Sequence, residues 1–353
     1  DMEAALTREL GDFRALDGFV PMPKGRTRAF GPGVIGGLFS ANIPALPHLT
    51  VMRSFLVKAA CFGRVSRGEP VYLPLYARSI ASLDEDLASC LAVVHWDSAR
   101  HDVEAAFTRG IDHLIAYGSD RTLSEIRSRA RPGLSATWHG HRMGFAAVGR
   151  PAMSGDLADL GRSLAYDFTV FDQHACLAPQ ACFVETGGDK TVLQLAKAIE
   201  SGMTYWLKEL PARRLTTQEA APLRSAVDMT LMREAMGEEV TVVSPPKRLQ
   251  GVVVVEHPDA FQPTPLDRFV RLIPVQSTKE IFQYLQPVRE FLQCAAIIGF
   301  DDPFRLELAR LGTTRLCPPG ATGTPSMVWA HDGNRCIADL VRWCDEETVL
   351  PGV

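Results

Sequence analysis

Short apolar runs that alternate with helical segments constrain this chain most. Val34-Ile35-Gly36-Gly37-Leu38-Phe39, Leu91 to Val94 and Leu114-Ile115-Ala116-Tyr117 read as strands, the last two preceded by helices over 82–90 and 102–109. The alternation resumes with helices over 155–167, 191–208 and 217–236, strands over 239–243 and 251–256, helix 277–293, strand 295–299 and helix 303–311. Such a pattern builds parallel sheets with helices on their faces. Val252-Val253-Val254-Val255 is apolar throughout, as a strand buried on both faces should be. The chain therefore reads as α/β, and 353 residues suffice for two domains.

Composition narrows the classes. At 46% hydrophobic and 22% charged this is an ordinary globular sequence. A net charge of −4 offers no basic face for nucleic acid. No window reaches the roughly 18 uncharged apolar residues of a membrane span. The start, Asp1-Met2-Glu3-Ala4-Ala5, has no basic segment followed by an apolar core, so no signal peptide is read. The absence of Met at position 1 reads as a trimmed start. Cysteines stand at 61, 90, 176, 182, 294, 317, 336 and 344, none in a Cys-x-x-Cys pair, so no metal site is expected. Reduced thiols in a cytoplasmic protein are the expectation.

Local signals place the candidate residues. Phe19 to Met22 and Thr27 to Phe30 flank a turn and read as a hairpin. The first strand ends at Ser40-Ala41-Asn42-Ile43-Pro44, where α/β sheets place chemistry. A helix over 46–53 leads to a second strand, Phe55-Leu56-Val57, with Lys58 at its end. Gly118-Ser119-Asp120 caps a helix over 121–129. Its N–H groups suit a phosphate, although most Gly-Ser turns are simply turns and no Gly-x-Gly-x-x-Gly stands in the chain. His139-Gly140-His141-Arg142 precedes a strand over 145–148. Stretches 244–247, 258–265 and 317–325 read as loops, and a helix over 336–346 closes the chain.

Phe171-Asp172-Gln173-His174-Ala175-Cys176-Leu177-Ala178-Pro179-Gln180 is the marked segment. It puts a cysteine among polar flanks just before the apolar run Ala181 to Val184, in a place that reads as a strand-to-helix junction. A free cysteine is commonly a small core residue. The residues alone leave Cys176 open between core and nucleophile, and His174, two residues away, need not be its base. Asn42 is either a turn residue or an oxyanion donor. Lys58 is either a surface charge with a buried stem or a cofactor contact.

Three blocks resemble the bacterial bioluminescence-type (LuxC-type) fatty acyl-CoA reductases, a branch of the aldehyde dehydrogenase superfamily. The first runs from Gly33-Val34-Ile35 to Asn42-Ile43-Pro44 and Val57-Lys58. The second is the Cys176 segment, similar to the family's Asp-Gln-Gln-Ala-Cys-Leu-Ser-Pro box. The third runs from Arg315-Leu316-Cys317-Pro318 through His331-Asp332-Gly333 to Trp343. The resemblance covers nearly all of 30–345.

The resemblance implies an aldehyde dehydrogenase-like fold of two α/β domains with a cleft between them. It implies a dinucleotide-binding domain over 1–148, a catalytic domain over 149–320, and a tail over 321–353 that returns to the cofactor domain. The region before the hairpin is shorter than in relatives, which implies that part of the cofactor domain's helical layer is missing. Cys176 matches the acyl-accepting nucleophile, and Asn42 the oxyanion asparagine that works with the Cys176 N–H. Lys58 matches the lysine on the adenosine ribose, and Gly118 and Ser119 match the turn on the pyrophosphate. Where oxidising aldehyde dehydrogenases carry a water-activating glutamate, this chain has Trp138-His139-Gly140-His141. That departure favours reduction and leaves the proton donor among His139, His141 and His331.

The implied reaction is NADPH-dependent reduction of an acyl thioester, on coenzyme A or a carrier protein, to an aldehyde through a thioacyl-cysteine. The alternatives are an oxidative aldehyde dehydrogenase and an inactive reductase-like domain of a biosynthetic assembly. The hairpin resembles the superfamily's oligomerisation arm, which implies a homo-oligomer.

Overall fold

The computed structural model describes residues 2–43, 45–243 and 250–348. Pro44 and the loop expected over 244–247 lie outside the described residues. The chain forms two compact units, 1–141 with 327–353, and 142–326.

The first unit opens with α1 (Met2–Leu10), β1 (Val20–Met22) and β2 (Gly25–Phe30). A parallel α/β run follows: β3 (Val34–Leu38), α2 (Pro47–Leu56), β4 (Ala60–Arg64), α3 (Tyr72–Ala81), α4 (Glu85–Ser89) and β5 (Leu91–Val94). It continues with α5 (His101–Arg109), β6 (His113–Tyr117), α6 (Asp120–Arg129) and β7 (Ser135–His139). All five strands β3 to β7 are parallel, in the order β5-β4-β3-β6-β7. β6 is buried along its whole length, and its Leu114 and Ile115 enter clusters on opposite faces of the sheet.

The second strand lies later than its apolar residues suggest. Phe55 and Leu56 belong to α2, whose Pro47 sits in the first turn, where the ring costs no hydrogen bond. Lys58 reverses the chain with φ 62, and the strand begins at Ala60. The expected helix over 82–90 is the shorter α4, capped by Asp84, and α3 before it goes unread in the sequence.

The second unit holds β8 (Met143–Val148), α7 (Ala158–Thr169), β9 (Pro179–Glu185), α8 (Val192–Trp206), α9 (Thr217–Ala235), β10 (Val240–Val243) and β11 (Val252–Glu256). β12 (Phe269–Val275), α10 (Thr278–Leu285), β13 (Leu292–Ile298), α11 (Asp302–Leu311) and β14 (Arg315–Cys317) complete it. Among the described residues its seven strands run β10-β11-β12-β9-β8-β13-β14, and of these only the edge strand β10 is antiparallel. Capping boxes at Thr191/Gln194 and Thr216/Glu219 start α8 and α9. Phe145, Phe183, Ile273 and Ala295 meet in one core cluster of this sheet.

β12 goes unread in the sequence because Arg271 and Pro274 interrupt its apolar character. Both are accommodated: the Arg271 guanidinium pairs with Glu256 of β11 at 2.5 Å, so a buried charge is neutralised between neighbouring strands.

The helix expected over 336–346 is instead β15 (Arg342–Glu347), antiparallel to β2 from Arg342↔Phe30 to Glu347↔Gly25. Its ladder, an Arg26–Glu346 pair at 2.8 Å and the Arg342 guanidinium over the Phe30 ring override the helical propensity of an acidic segment. β1, β2 and β15 form a separate three-stranded sheet.

Candidate active site

Because β3 to β7 are parallel, their carboxyl ends share one edge. The strand order reverses about β3: the chain passes from β3 outward to β4 and β5, then returns to β6 on the other side. Loops at such a switch point flank the crevice where α/β sheets bind ligands. From β3 comes Ser40-Ala41-Asn42. Asn42 is exposed, and its amide oxygen accepts the Ser40 hydroxyl, which fixes the orientation of the amide. From β6 come Gly118 and Ser119. The Ser119 hydroxyl accepts the Thr122 N–H at 3.2 Å and caps the ten-residue α6. A capped helix N-terminus at this edge presents N–H donors and the positive end of the helix dipole, which suits a phosphate.

Lys58 is not at this edge. It precedes β4, at the amino ends of the strands, and its ammonium pairs with Asp17. The cation that ends β4 on the carboxyl side is Arg64, which donates to the Trp96 carbonyl at 3.1 Å and lies over the Trp96 ring at 5.3 Å. Sequence reasoning missed Arg64 because it placed the strand too early.

The imidazoles expected at the end of β7 separate into two situations. His141 is exposed, and its backbone N–H donates to Asp120 at 3.2 Å. His139 is buried in a cluster of rings, with Tyr117 4.4 Å and His331 4.2 Å away, Tyr117 and His331 6.1 Å apart, and Trp329 4.7 Å from His331. His139 Nδ1 and Asp332 Oδ2 are 2.6 Å apart. Asp332 reaches this position through a left-handed backbone, φ 54, inside the short turn His331–Gly333. A carboxylate therefore does arrive at the β7 end, from a distant segment that the local motif did not reveal.

His139, His331 and Asp332 offer ligand atoms within 4.8 Å of one another, close enough to admit a cation. The 2.6 Å N–O separation is that of a hydrogen-bonded dyad, set within a cluster of aromatic rings. The Asp332 carboxylate can only accept in this contact, so the proton lies on His139 Nδ1.

In the second unit Cys176 lies between α7 and β9, at a helix-to-strand junction rather than the expected strand-to-helix one. α7 ends as Thr169 turns its hydroxyl onto the Ala165 carbonyl at 2.8 Å. Phe171, Asp172 and Gln173 then run left-handed, with φ of 55, 49 and 65. The Ala178 N–H donates to the Ala175 carbonyl at 2.9 Å, so Cys176 and Leu177 are the central residues of a tight turn. The Gln173 amide ties this turn to the Pro179 carbonyl at 3.0 Å.

Gly144 of β8 makes room for the turn. A Cβ there would stand 2.5 Å from the Leu177 carbonyl oxygen. Cys176 is half-buried, whereas burial pushes the Cys61 thiol up to about 11 and the Cys182 thiol higher still. Those two are held as inert thiols.

Solved structures resemble this architecture. The P. syringae indole-3-acetaldehyde dehydrogenase in complex with NAD+ matches with a TM-score of 0.72 and 14% identity, over 98% of this chain and 76% of that one. A succinic semialdehyde dehydrogenase from Streptococcus pyogenes in complex with NADP+ matches at 0.67 and 13%, over 97% and 81%. The fold is that of the aldehyde dehydrogenases.

Within that class the sequence is more specific. The family model for acyl-CoA reductase (LuxC) matches residues 1–343, and the chain belongs to this family. Among curated relatives, the long-chain acyl-protein thioester reductase of Vibrio harveyi is 22% identical over 344 residues, 96% of this chain and 69% of that protein. The one from Aliivibrio fischeri is 24% identical over 347 residues, with the same coverage.

Proposed function

We propose that this chain reduces a long-chain acyl thioester to the aldehyde through an acyl group carried on Cys176. The observation that carries this reading is the Cys176 turn. It presents a half-buried thiol on a turn that Gly144 allows to pack closely, in a chain of the acyl-CoA reductase family.

The Cys176 thiolate attacks the thioester carbonyl, and a new C–S bond forms. The Asn42 amide and the Cys176 N–H hold the developing oxyanion. Its collapse breaks the original C–S bond, expels the carrier as a thiolate that takes a proton from solvent, and leaves the acyl group on Cys176. NADPH, when bound, supplies the hydride. His139, oriented by Asp332, protonates the thiohemiacetal oxygen and takes that proton back as the C–S bond breaks, which releases the aldehyde and restores the Cys176 thiolate. Gly118 and Ser119, at the N-terminus of α6, receive the pyrophosphate, and Arg64 replaces Lys58 as the cation for the adenosine end. The unit of 1–141 with 327–353 is assigned the cofactor, and 142–326 the acyl chemistry.

No helix among the described residues is long and apolar enough to cross a membrane. We assign the chain to the cytoplasm, where thiols such as the buried Cys61 and Cys182 stay reduced.

A second reading is favoured by the same dyad: His139 backed by Asp332 is also a competent base for water, which an oxidative aldehyde dehydrogenase requires. Turnover separates the two. Consumption of NADPH with a long-chain acyl-CoA or acyl-carrier protein, and aldehyde as product, is expected. Formation of a carboxylic acid from aldehyde and NADP, without thioester reduction, would reverse the assignment.

A further inference from the structure

The Cys176 turn is held by a second segment that the proposed chemistry does not use. Leu266, Asp267 and Arg268 are left-handed at φ 65, 53 and 68, a second run of three non-glycine residues like that of 171–173. Each such residue is unfavourable by itself, so its surroundings must impose it, and such imposed strain collects at functional sites.

The two runs impose it on each other. The Asp267 N–H donates to the Asp172 carbonyl at 3.0 Å. Arg268 Nε donates to Asp172 Oδ1 at 2.5 Å, and Asp267 Oδ1 lies 3.0 Å from His174 Nε2. The Gln173 amide also reaches the Phe269 carbonyl at 3.3 Å.

Arg213 closes the network. Its Nε and Nη2 fork onto the Asp267 carboxylate at 2.7 and 3.3 Å, and its backbone N–H reaches Asp172 Oδ2 at 3.3 Å. Its Nη1 pairs with Glu219 at 2.7 Å, beside the capping box of α9. Arg268 is buried and donates Nη2 to the Leu210 carbonyl at 2.9 Å. Burial favours the neutral form of the Asp267 carboxyl, yet the hydrogen bonds from His174 and Arg213 outweigh it and hold the group below its usual range. A buried network of this kind is weak evidence for stability. What it secures is geometry: the backbone two to four residues before Cys176 is pinned at the Asp172 carbonyl, the Asp172 carboxylate and the His174 ring.

We propose that Asp267, held by Arg213, is a positioning residue for Cys176, acting through Asp172 and His174. The proposal rests on Cys176 being the nucleophile. The clamp sets where the turn presents its thiol and touches neither substrate nor cofactor.

The test uses Asp267→Asn and Arg213→Lys in the full chain. The latter lies at the partly exposed rim and replaces the fork with a single point charge, so it provides a second folded variant. Circular dichroism and thermal melting report the fold. Steady-state kinetics report kcat and KM for acyl-CoA and NADPH, and iodoacetamide with mass detection reports the alkylation rate at Cys176.

In folded variants a loss of kcat of about 100-fold is expected, the order that a misplacement of about 1 Å produces. Both KM values should stay within about threefold of wild type, which marks an interaction made in the transition state. Slower alkylation of Cys176 is expected alongside. Wild-type kcat in a folded variant overturns the proposal, as does an unchanged alkylation rate or a defect confined to the KM for NADPH. Cys176→Ser separates the premises: if that variant keeps activity, the nucleophile assignment itself fails.

Discussion

Asp332 accepts a hydrogen bond from His139 Nδ1 at 2.6 Å across 193 residues of sequence, and so supplies the β7 edge with a carboxylate that the local motif lacks. Asp332→Asn removes the charge, and asparagine tolerates the left-handed backbone at this position. Loss of an oriented proton donor should lower kcat by about 100-fold. Acylation of Cys176, followed by intact mass without NADPH, should keep its wild-type rate. Slowed acylation would move the dyad's role to the first half-reaction.

Gly144 is the second sensitive point. Gly144→Ala puts a methyl 2.5 Å from the Leu177 carbonyl oxygen, a distance that real Cβ atoms do not show, so the turn must shift. Displacement of the nucleophile should reduce kcat by about 100-fold while the protein remains folded. Acylation kinetics at Cys176 give the readout, and a wild-type rate would show that the turn adapts without moving its thiol.

The cations at the two ends of β4, Lys58 just before it and Arg64 at its close, should behave differently. Arg64→Gln should raise the KM for NADPH by roughly tenfold or more, the weight of a charge-assisted hydrogen bond. Lys58→Ala should leave it unchanged, because Lys58 stands at the opposite edge and pairs with Asp17. The comparison is made with NADPH and NADH as alternative donors, and a selective defect in Lys58→Ala would restore the sequence-based assignment.

Two buried groups give stability opposite slopes with pH. Burial lowers His113 from 6.5 to about 4, although Ser135 and Thr137 contact its ring. The unfolded chain then binds more protons, so this contribution to stability rises with pH between about 4 and 6.5 and is lost on acidification. Burial raises Asp167 from 3.8 to about 6, against the hydrogen bonds from Gly320 and Thr322. Here the folded state binds more protons, and stability falls as pH rises through that window. Melting curves should therefore show a falling slope across pH 4–6 in His113→Gln and a rising one in Asp167→Asn, relative to wild type. Parallel curves for all three proteins would contradict both shifts.

The alternating pattern made the α/β class legible, and the capped turn after β6 was legible because Ser119 signals a helix start by itself. The Cys176 segment stood out through its polar flanks, but its left-handed entry did not. That conformation is imposed by Asp267 and Arg268, which approach Asp172 from 96 residues away in the sequence, as in the Arg268–Asp172 contact. β4 was placed early because Phe55 and Leu56 look like a strand until their neighbours bury the helix instead. β12 was hidden by a charge that Glu256 neutralises, and β15 by acidic residues whose partner strand lies at the other end of the chain. For the Cys176 entry, β12 and β15, a contact between distant segments decided the outcome.

Intact-mass spectrometry of the protein mixed with a long-chain acyl-CoA, without NADPH, tests the assignment of Cys176 most directly. One acyl group should add to the wild-type protein, disappear when NADPH is supplied, and never form on Cys176→Ala. An adduct of the same stoichiometry on Cys176→Ala, or none on the wild type under conditions where it consumes NADPH, would contradict a thioacyl-cysteine route.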